Sequence, residues 1–411
     1  MDNQNIRQTP VRPNELVEPG EAFTQLEKRR TTATTGGASA HYDVIVIGAG
    51  QAGLVTGYHL QRRGLRFVIL DGGARVGDPW RQRWDSLRLF TPARYDGLSG
   101  MPFPGPEWYF PTKDEMGDYL ESYAAKFSLP VRLGARVERL TQRDGAFVVE
   151  GQGGGKRFEL SAAQVVVAMS SYQRKRIPAF AKELRPGIVQ LHSLDYRNPA
   201  QLGAGGVLVV GAGNSGAEIA LEAARNGRET WMAGRDVGNV PFEIEGTASR
   251  LILSKLVIGF VFHHVLTVKT PMGRKLRPTI ISRGAPLIRL KPKQLDAAGV
   301  KRVARVAGVR DGLPVLDDGT VLDVGTVVWS TGFDHGLQWV DLPGFLGDDH
   351  EPRHASGIST THPGLYYVGQ HFLHSFSSTM IRGVSRDGAR IAKAAAERVA
   401  ELGETQRMIA A

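Results

Sequence analysis

Asp43-Val-Ile-Val-Ile-Gly-Ala-Gly-Gln-Ala-Gly53 is the stretch on which the fold turns. The apolar run Val44 to Ile47 reads as a buried parallel strand, and it runs directly into Gly48-x-Gly50-x-x-Gly53. A helical segment, Gln51 to Arg63, follows. Each glycine has a physical task. Gly48 permits the tight turn, Gly50 lets the backbone approach a pyrophosphate, and Gly53 lets the helix pack close on the strand. The helix N-terminus presents unbonded N–H groups and the positive end of its dipole to the phosphates. A second strand, Leu65 to Leu70, ends in Asp71, 23 residues past Gly48, where a carboxylate can accept hydrogen bonds from ribose hydroxyls. Any one of these features is common; strand, glycines, helix and terminal acid at these spacings predict a dinucleotide-binding unit.

The same unit recurs. Val207-Leu-Val-Val210 leads into Gly211-Ala-Gly213-Asn-Ser-Gly216 and a helical run to Gly227. The interval from Gly211 to Gly227 is 16 residues, as it is from Gly48 to Gly64. The copies differ at one informative place. Twenty-three residues past Gly211 stands Gly234, followed by Arg235. An acid there would repel a ribose 2′-phosphate, whereas a guanidinium can pair with it. The second unit is therefore expected to take NADPH, and the first FAD or another dinucleotide lacking that phosphate.

The rest of the chain supports an α/β protein with two Rossmann-like domains. At 411 residues, 42% of them hydrophobic, it has material for two or three domains. Short β-like runs (Val131 to Leu140, Ala146 to Glu150, Arg157 to Leu160) precede the strand Val165 to Ala168. Similar runs (Arg302 to Val309, Leu313 to Leu316) precede Val327 to Ser330. Each half thus reads as a βαβ unit, a small β-meander and a closing strand, with the second half inserted into the first. The expected boundaries are a disordered tail at 1–40, a first domain at 41–171 completed by 333–411, and an inserted domain at 172–332. Residues 1–40 have no apolar core segment, so a secretory signal is not expected. Lys113 to Phe127 has the spacing of an amphipathic helix, with Thr112 as its N-cap. A last helix is expected from about Gly383 to Leu402, its N-terminus aimed at an anionic or carbonyl part of a flavin.

Composition removes several function classes. The chain has no cysteine, which excludes disulfides, thiolate metal sites and a redox CxxC pair. No metal site is expected. The net charge of +10 reads as dispersed, with short clusters such as Arg174-Lys-Arg176 and Arg274-Lys-Leu-Arg277, so nucleic acid is not an expected partner. Leu251 to Val268 is strongly apolar but holds Lys255, His263 and His264, which makes it a poor membrane span. An amphipathic helix lining a substrate pocket is the expectation there, with peripheral membrane contact as the alternative. His192, between the two units, is read as structural.

Two fingerprints, His192-Ser-x-x-Tyr196-Arg197 between them and Ser330-Thr-Gly-Phe333 after them together resemble the flavin-containing monooxygenases. Gly77-Asp-x-Trp80-Arg81, Asp85-Ser-Leu-Arg88 and Ile381-Arg-Gly-Val-x-Arg-Asp387 resemble the bacterial branch akin to plant YUCCA enzymes. The resemblance spans roughly residues 41–402. It implies FAD and NADPH as cofactors, O2 and a small molecule as partners, and oxygen transfer through a C4a-(hydro)peroxyflavin. N- or S-oxidation, Baeyer–Villiger insertion and oxidative decarboxylation all fall within it, and a reductase passing electrons to a quinone or protein is the alternative. It carries cofactor contacts onto Gly48, Gly50, Gln51, Ala52 and Gly53, then Asp71, Gly72, Trp80, Arg81, Arg88 and Thr91. In the second unit it adds Gly211, Gly213, Asn214, Ser215, Gly216 and Arg235, with Thr331, Gly332, Gly369, Gln370 and Gly383 toward the C-terminus. Asn214, Ser193 and Tyr196 are the catalytic candidates. A cytoplasmic enzyme is expected, with a homodimer left open.

Overall fold

The computed structural model describes residues 41–246 and 252–410; the tail expected at 1–40 lies outside the described residues. From His41 onward the chain forms one compact unit built on two parallel sheets.

The first sheet begins with β1 (His41–Ile47), which passes through the glycine loop into helix α1 (Gln51–Gln61) and returns as β2 (Phe67–Leu70). Short α2 (Asp78–Arg81) and α3 (Lys113–Lys126) follow. Thr112 caps α3 as expected, accepting from the Glu115 amide at 3.2 Å while Glu115 accepts from the Thr112 amide at 2.8 Å. Next come β3 (Val131–Arg132), β4 (Arg136–Arg143), β5 (Ala146–Gly153) and β6 (Lys156–Val167). The sequence reading divides β6 into a meander strand and a closing strand; they are continuous. Its first part pairs antiparallel with β5 and its last part parallel with β1. Ser161-Ala-Ala-Gln164 contains neither glycine nor proline, so nothing breaks the strand.

The chain then crosses to the second half through β7 (Arg174–Lys175). The second sheet comprises β8 (Val189–His192), β9 (Val207–Val210), β10 (Thr230–Ala233), β11 (Val300–Val303) and, after the separate hairpin β12 (Val306–Arg310) and β13 (Leu313–Leu316), β14 (Thr326–Trp329). Helix α4 (Asn214–Arg225) links β9 to β10. The expected run Arg302 to Val309 is thus two elements, one a sheet strand and one half of a hairpin. The return crossing is β15 (Phe333–Asp334), which pairs with β7. After β16 (His354–Ala355) and β17 (Ile358–Ser359), β18 (Leu365–Tyr367) closes the first sheet, and a helix spans Ile381–Ala410. That helix starts earlier and ends later than expected, because Gly403 does not interrupt it.

The parallel strand orders are β18-β6-β1-β2-β3 and β8-β14-β9-β10-β11. They are the same order twice, with one difference. The outer strand beside β6 comes from after the inserted half, whereas the outer strand beside β14 comes from before it. The segment ending at His192, between the two units in sequence, is thus sheet strand β8.

Near-continuous apolar strands are covered on both faces. Val44 and Val46 join Leu54, Tyr123 and Val384 on one side of the first sheet, and Ile45 and Ile47 join Phe147 and Val165 on the other. In the second sheet Val207 and Val209 pack with Ala220 and Met232, while Leu208 and Val210 pack with Leu316 and Trp329. This alternation is the period of two that a strand imposes on its side chains.

Candidate functional site: two glycine loops facing open space

The two loops superpose in their physical logic. Gly48 has φ +108° and Gly211 φ +117°, conformations that favour glycine. A Cβ on Gly53 would lie 1.8 Å from the Gly48 carbonyl oxygen, and one on Gly216 would lie 1.9 Å from that of Gly211. Helix and strand therefore meet with no room for a side chain. The middle glycines behave oppositely: a Cβ on Gly50 or Gly213 would meet nothing within 4 Å. Gly50 and Gly213 also cap α1 and α4 with near-identical backbone angles (φ −77°, ψ −174° and φ −76°, ψ −174°) and with no side-chain cap bond. Open space in front of uncapped helix N-termini fits a phosphate group at both places.

Asp71 turns its carboxylate back to its own loop, accepting from Ala49 N at 2.7 Å and Gly73 N at 2.7 Å. A carboxylate has further lone pairs for a ribose hydroxyl. Gly72 beside it packs 3.6 Å from Arg136 by its Cβ direction. At the opposite edge, Gly369 (φ +82°) presses on Ala52, where a Cβ would lie 2.7 Å from the alanine methyl. The next residue, Gln370, is buried with its carboxamide oxygen unpaired among the described residues, an acceptor suited to a donor on a bound group. Gly383 lies inside the C-terminal helix, pressed against the Ser377 carbonyl, where a Cβ would come to 1.7 Å.

The loop 77–91 divides its labour. Trp80 Nε1 donates to Gln51 Oε1 at 3.2 Å, which places it beside the first turn of α1. Trp84 and Leu87 instead pack into the core of the second half. Arg81 and Arg88 both bind other parts of the protein. Arg81 donates to Val76 O at 2.7 Å and to Asp118 at 2.7 Å, tying α2 to α3, and Arg88 donates to Tyr109 Oη at 3.1 Å and Phe110 O at 2.9 Å. Arg88 is exposed and uses Nη1 alone for these bonds. Thr91 donates to Asp96, a fully buried carboxyl that desolvation raises well above the usual carboxylate range. Asp96 is absent from the residues singled out above, because a lone acid in a loop gives no signal of its burial.

In the second half Asn214 donates to Pro286 O at 3.0 Å and accepts from Ile288 N at 3.0 Å. Its carboxamide thus fixes segment 286–288, while its backbone N–H remains in the uncapped first turn of α4. Ser215 is half-buried on the same turn. Tyr196 is a correction: it is wholly buried in the second core with its hydroxyl donating to Glu222 at 2.8 Å, and burial raises its pKa. Arg235 is exposed just beyond β10. Beside it Arg302 donates to Gly234 O at 3.0 Å, a second guanidinium that only the pairing of β11 with β10 reveals.

The crossing between halves is a joint of stacked edges. Phe333 meets His192 at 5.2 Å and Tyr172 at 5.0 Å between ring centres, and Tyr172 meets His371 at 5.3 Å. His192 accepts from Leu194 N through Nδ1 at 3.1 Å and lies 3.2 Å from Gly332 O through Nε2. Burial lowers its pKa, in keeping with a neutral structural ring. Thr331 donates to Arg176 O and Gly332 O accepts from Arg176 N at 3.2 Å, so both residues pair the crossings. Ser193 Oγ is buried without a partner among the described residues. No three His, Asp or Glu side chains converge as metal ligands among the described residues. A cavity of about 600 Å³ lies away from both loops, on the outer face of α4, bordered by Glu218, Glu222, Arg225, Arg289 and Lys291.

Comparison with known proteins gives a concordant result. Residues 45–243 match the pyridine nucleotide-disulphide oxidoreductase family, although the chain has no cysteine to form a disulphide. It is 37% identical to an uncharacterized oxidoreductase CzcO-like from Geobacillus kaustophilus over 84% of this chain and 95% of that protein. It is 29% identical to the probable indole-3-pyruvate monooxygenase YUCCA3 of Arabidopsis thaliana, covering 89% of each. Among solved structures, the flavin-containing monooxygenase of Stenotrophomonas maltophilia is similar with a TM-score of 0.69 at 27% identity, over 87% of this chain and 99% of that one.

Proposed function

Because the chain belongs to the flavin-containing monooxygenase family, we propose that it uses NADPH and O2 to oxygenate a small organic molecule. FAD and NADPH are the cofactors; when bound, the flavin supplies the oxygen-activating chemistry. The chain supplies binding, orientation and exclusion of water. The observation that carries this reading is the repeated loop geometry with opposite charge at the two strand ends. Gly48, Gly50 and Gly53 with the first turn of α1 hold the FAD pyrophosphate, and Asp71 the adenosine ribose. Gly211, Gly213 and Gly216 with α4 hold that of NADPH, and Arg235 and Arg302 pair with its 2′-phosphate. In this assignment residues 41–171 and 333–410 carry FAD, and the inserted half carries NADPH.

Within the family reactions, oxidative decarboxylation of a 2-oxo acid is the first to test, given the likeness to an enzyme named for indole-3-pyruvate. Sulfides, amines and ketones come next. The test is to reduce the purified yellow protein with NADPH, mix it with O2, and follow flavin absorbance and peroxide. A persistent species absorbing in the near ultraviolet, and NADPH use matched by oxygenated product, support the proposal. Immediate return to oxidised flavin with stoichiometric peroxide for every substrate class, together with rapid quinone reduction, would overturn it in favour of an electron-transfer role.

A further inference from the structure

The positive charge of this protein is not dispersed as the whole-chain reading suggests. Residues 246–295 contain ten Lys or Arg and no Asp or Glu. The chain as a whole has 51 and 41, so the remainder carries 41 of each and is formally neutral. The entire net charge of +10 sits in one eighth of the sequence.

Among the described residues, the same segment carries the largest concentration of exposed large apolar side chains. A helix wound with i→i−5 bonds spans Lys255–Val265, and Leu266 N donates to Val261 O at 2.9 Å. Its inner face is well packed: Ile258 and Phe262 are buried, and Phe262 lies 4.3 Å from Phe376 between ring centres. Arg386 fastens it from below, donating to His263 O and, at 2.7 Å, to Ser375 Oγ. Its outer face shows Ile252, Leu256 and Phe260, 66%, 50% and 54% exposed and four residues apart. Met272, 58% exposed, opens helix α5 (Pro271–Arg283) immediately after. The sequence expectation of a helix lining a substrate pocket is therefore half corrected: this face looks outward. Lys255, Lys269, Arg274 and Lys275 are exposed around the stripe.

We propose that residues 252–277 form a docking surface for an anionic lipid bilayer, lying in the plane of the interface. Apolar side chains ringed by cations, on a helix too short and too charged to cross, match that surface in both its acyl boundary and its headgroup charge. No helix among the described residues is long and apolar enough to span a membrane, so the contact is peripheral. Nucleic acid would satisfy the cations but leave Leu256 and Phe260 facing phosphodiesters. The inference rests on this surface alone and does not depend on the proposed reaction.

The test is flotation of the full-length, flavin-loaded protein with vesicles of phosphatidylcholine alone and of equal parts phosphatidylcholine and phosphatidylglycerol. Binding to the phosphatidylglycerol vesicles and not to the neutral ones is expected, weakened by raised salt. The double variant Leu256→Asp/Phe260→Asp should lower partitioning by about tenfold or more, and Lys275→Ala by about fivefold. Flavin absorbance and thermal unfolding serve as fold checks, since these side chains are exposed. Absence of binding at low salt would overturn the proposal. So would binding that falls with Lys275→Ala but is untouched by the double variant, or a dimer in size-exclusion chromatography that the double variant dissolves, which would assign the stripe to a second copy.

Discussion

Asp71 and Gly234 stand at the same distance from the first glycine of their loops, and they treat the equivalent backbone amide in opposite ways. In the first half the Asp71 carboxylate accepts from Ala49 N at 2.7 Å. In the second half the chain itself closes in, and a Cβ on Gly234 would lie 2.9 Å from Ala212 N. Where one half places a negative charge against its phosphate loop, the other admits no side chain and sets guanidiniums at its rim. On the proposed assignment, two copies of one scaffold choose between dinucleotides by the chemistry at a single strand end, while the same strand order surrounds both.

The sharpest way to break this parallel is to substitute glycines in pairs. Gly53→Ala and Gly216→Ala each drive a methyl into a backbone carbonyl, and each should cost more than about 3 kcal/mol or prevent folding, read by urea unfolding. Gly50→Ala and Gly213→Ala should stay within about 1 kcal/mol of the parent stability and yet lower nucleotide retention, the first for FAD and the second for NADPH. If Gly50→Ala retains a full complement of flavin, the phosphate assignment of that loop fails.

Next in size is the charge contrast. Arg235→Ala should reduce the preference for NADPH over NADH by about 10–100-fold in kcat/KM, with flavin content unchanged. An unaltered ratio removes Arg235 from the site and leaves Arg302 as the remaining candidate.

Smaller still is an effect confined to the second half. Glu218 has a pKa raised to about 7, chiefly by burial and opposed by Arg289. A carboxyl whose folded pKa lies above its unfolded value stabilises the fold below the unfolded pKa and loses that contribution as pH rises through the folded one. Glu218→Gln should therefore match the parent below about pH 4.5 and be more stable by about 1–2 kcal/mol above about pH 8, measured by thermal unfolding at both values. Equal stabilities at the higher pH would mean that Arg289 fully compensates the carboxylate. Smallest is Tyr196→Phe, which removes the bond to Glu222 and should cost about 1 kcal/mol without altering turnover; a large loss of kcat would return Tyr196 to the reacting groups.

What could be read before the structure was local. Glycine spacing, apolar strands and the Thr112 N-cap are written in neighbouring residues, so both loops and α3 were legible. What could not be read depends on partners far away in sequence. Nothing near His192 announces that Val189–His192 pairs with β14, or that Trp84 leaves its own half for the core of the other. Arg302 reaches Gly234, at the proposed nucleotide rim, only because β11 lies beside β10. Asn214 stands where a phosphate contact is expected by position, but its amide is claimed by a segment more than 70 residues away. Charge was misread for a different reason: a whole-chain total hides where the charges are.

The origin of the two closing strands has a consequence for how the protein is made. A ribosome synthesises everything needed for the inserted sheet, from β8 to β14, before it reaches β18 or the C-terminal helix. The half that begins first is thus completed last, and during synthesis β6 is left with an open edge on the side that β18 will occupy. Chains truncated after residue 340 and freed from the ribosome should already protect the inserted half against protease and leave β1 to β6 susceptible. The last 47 residues, from Leu365 on, act as the latch on a structure whose inner part is already shut.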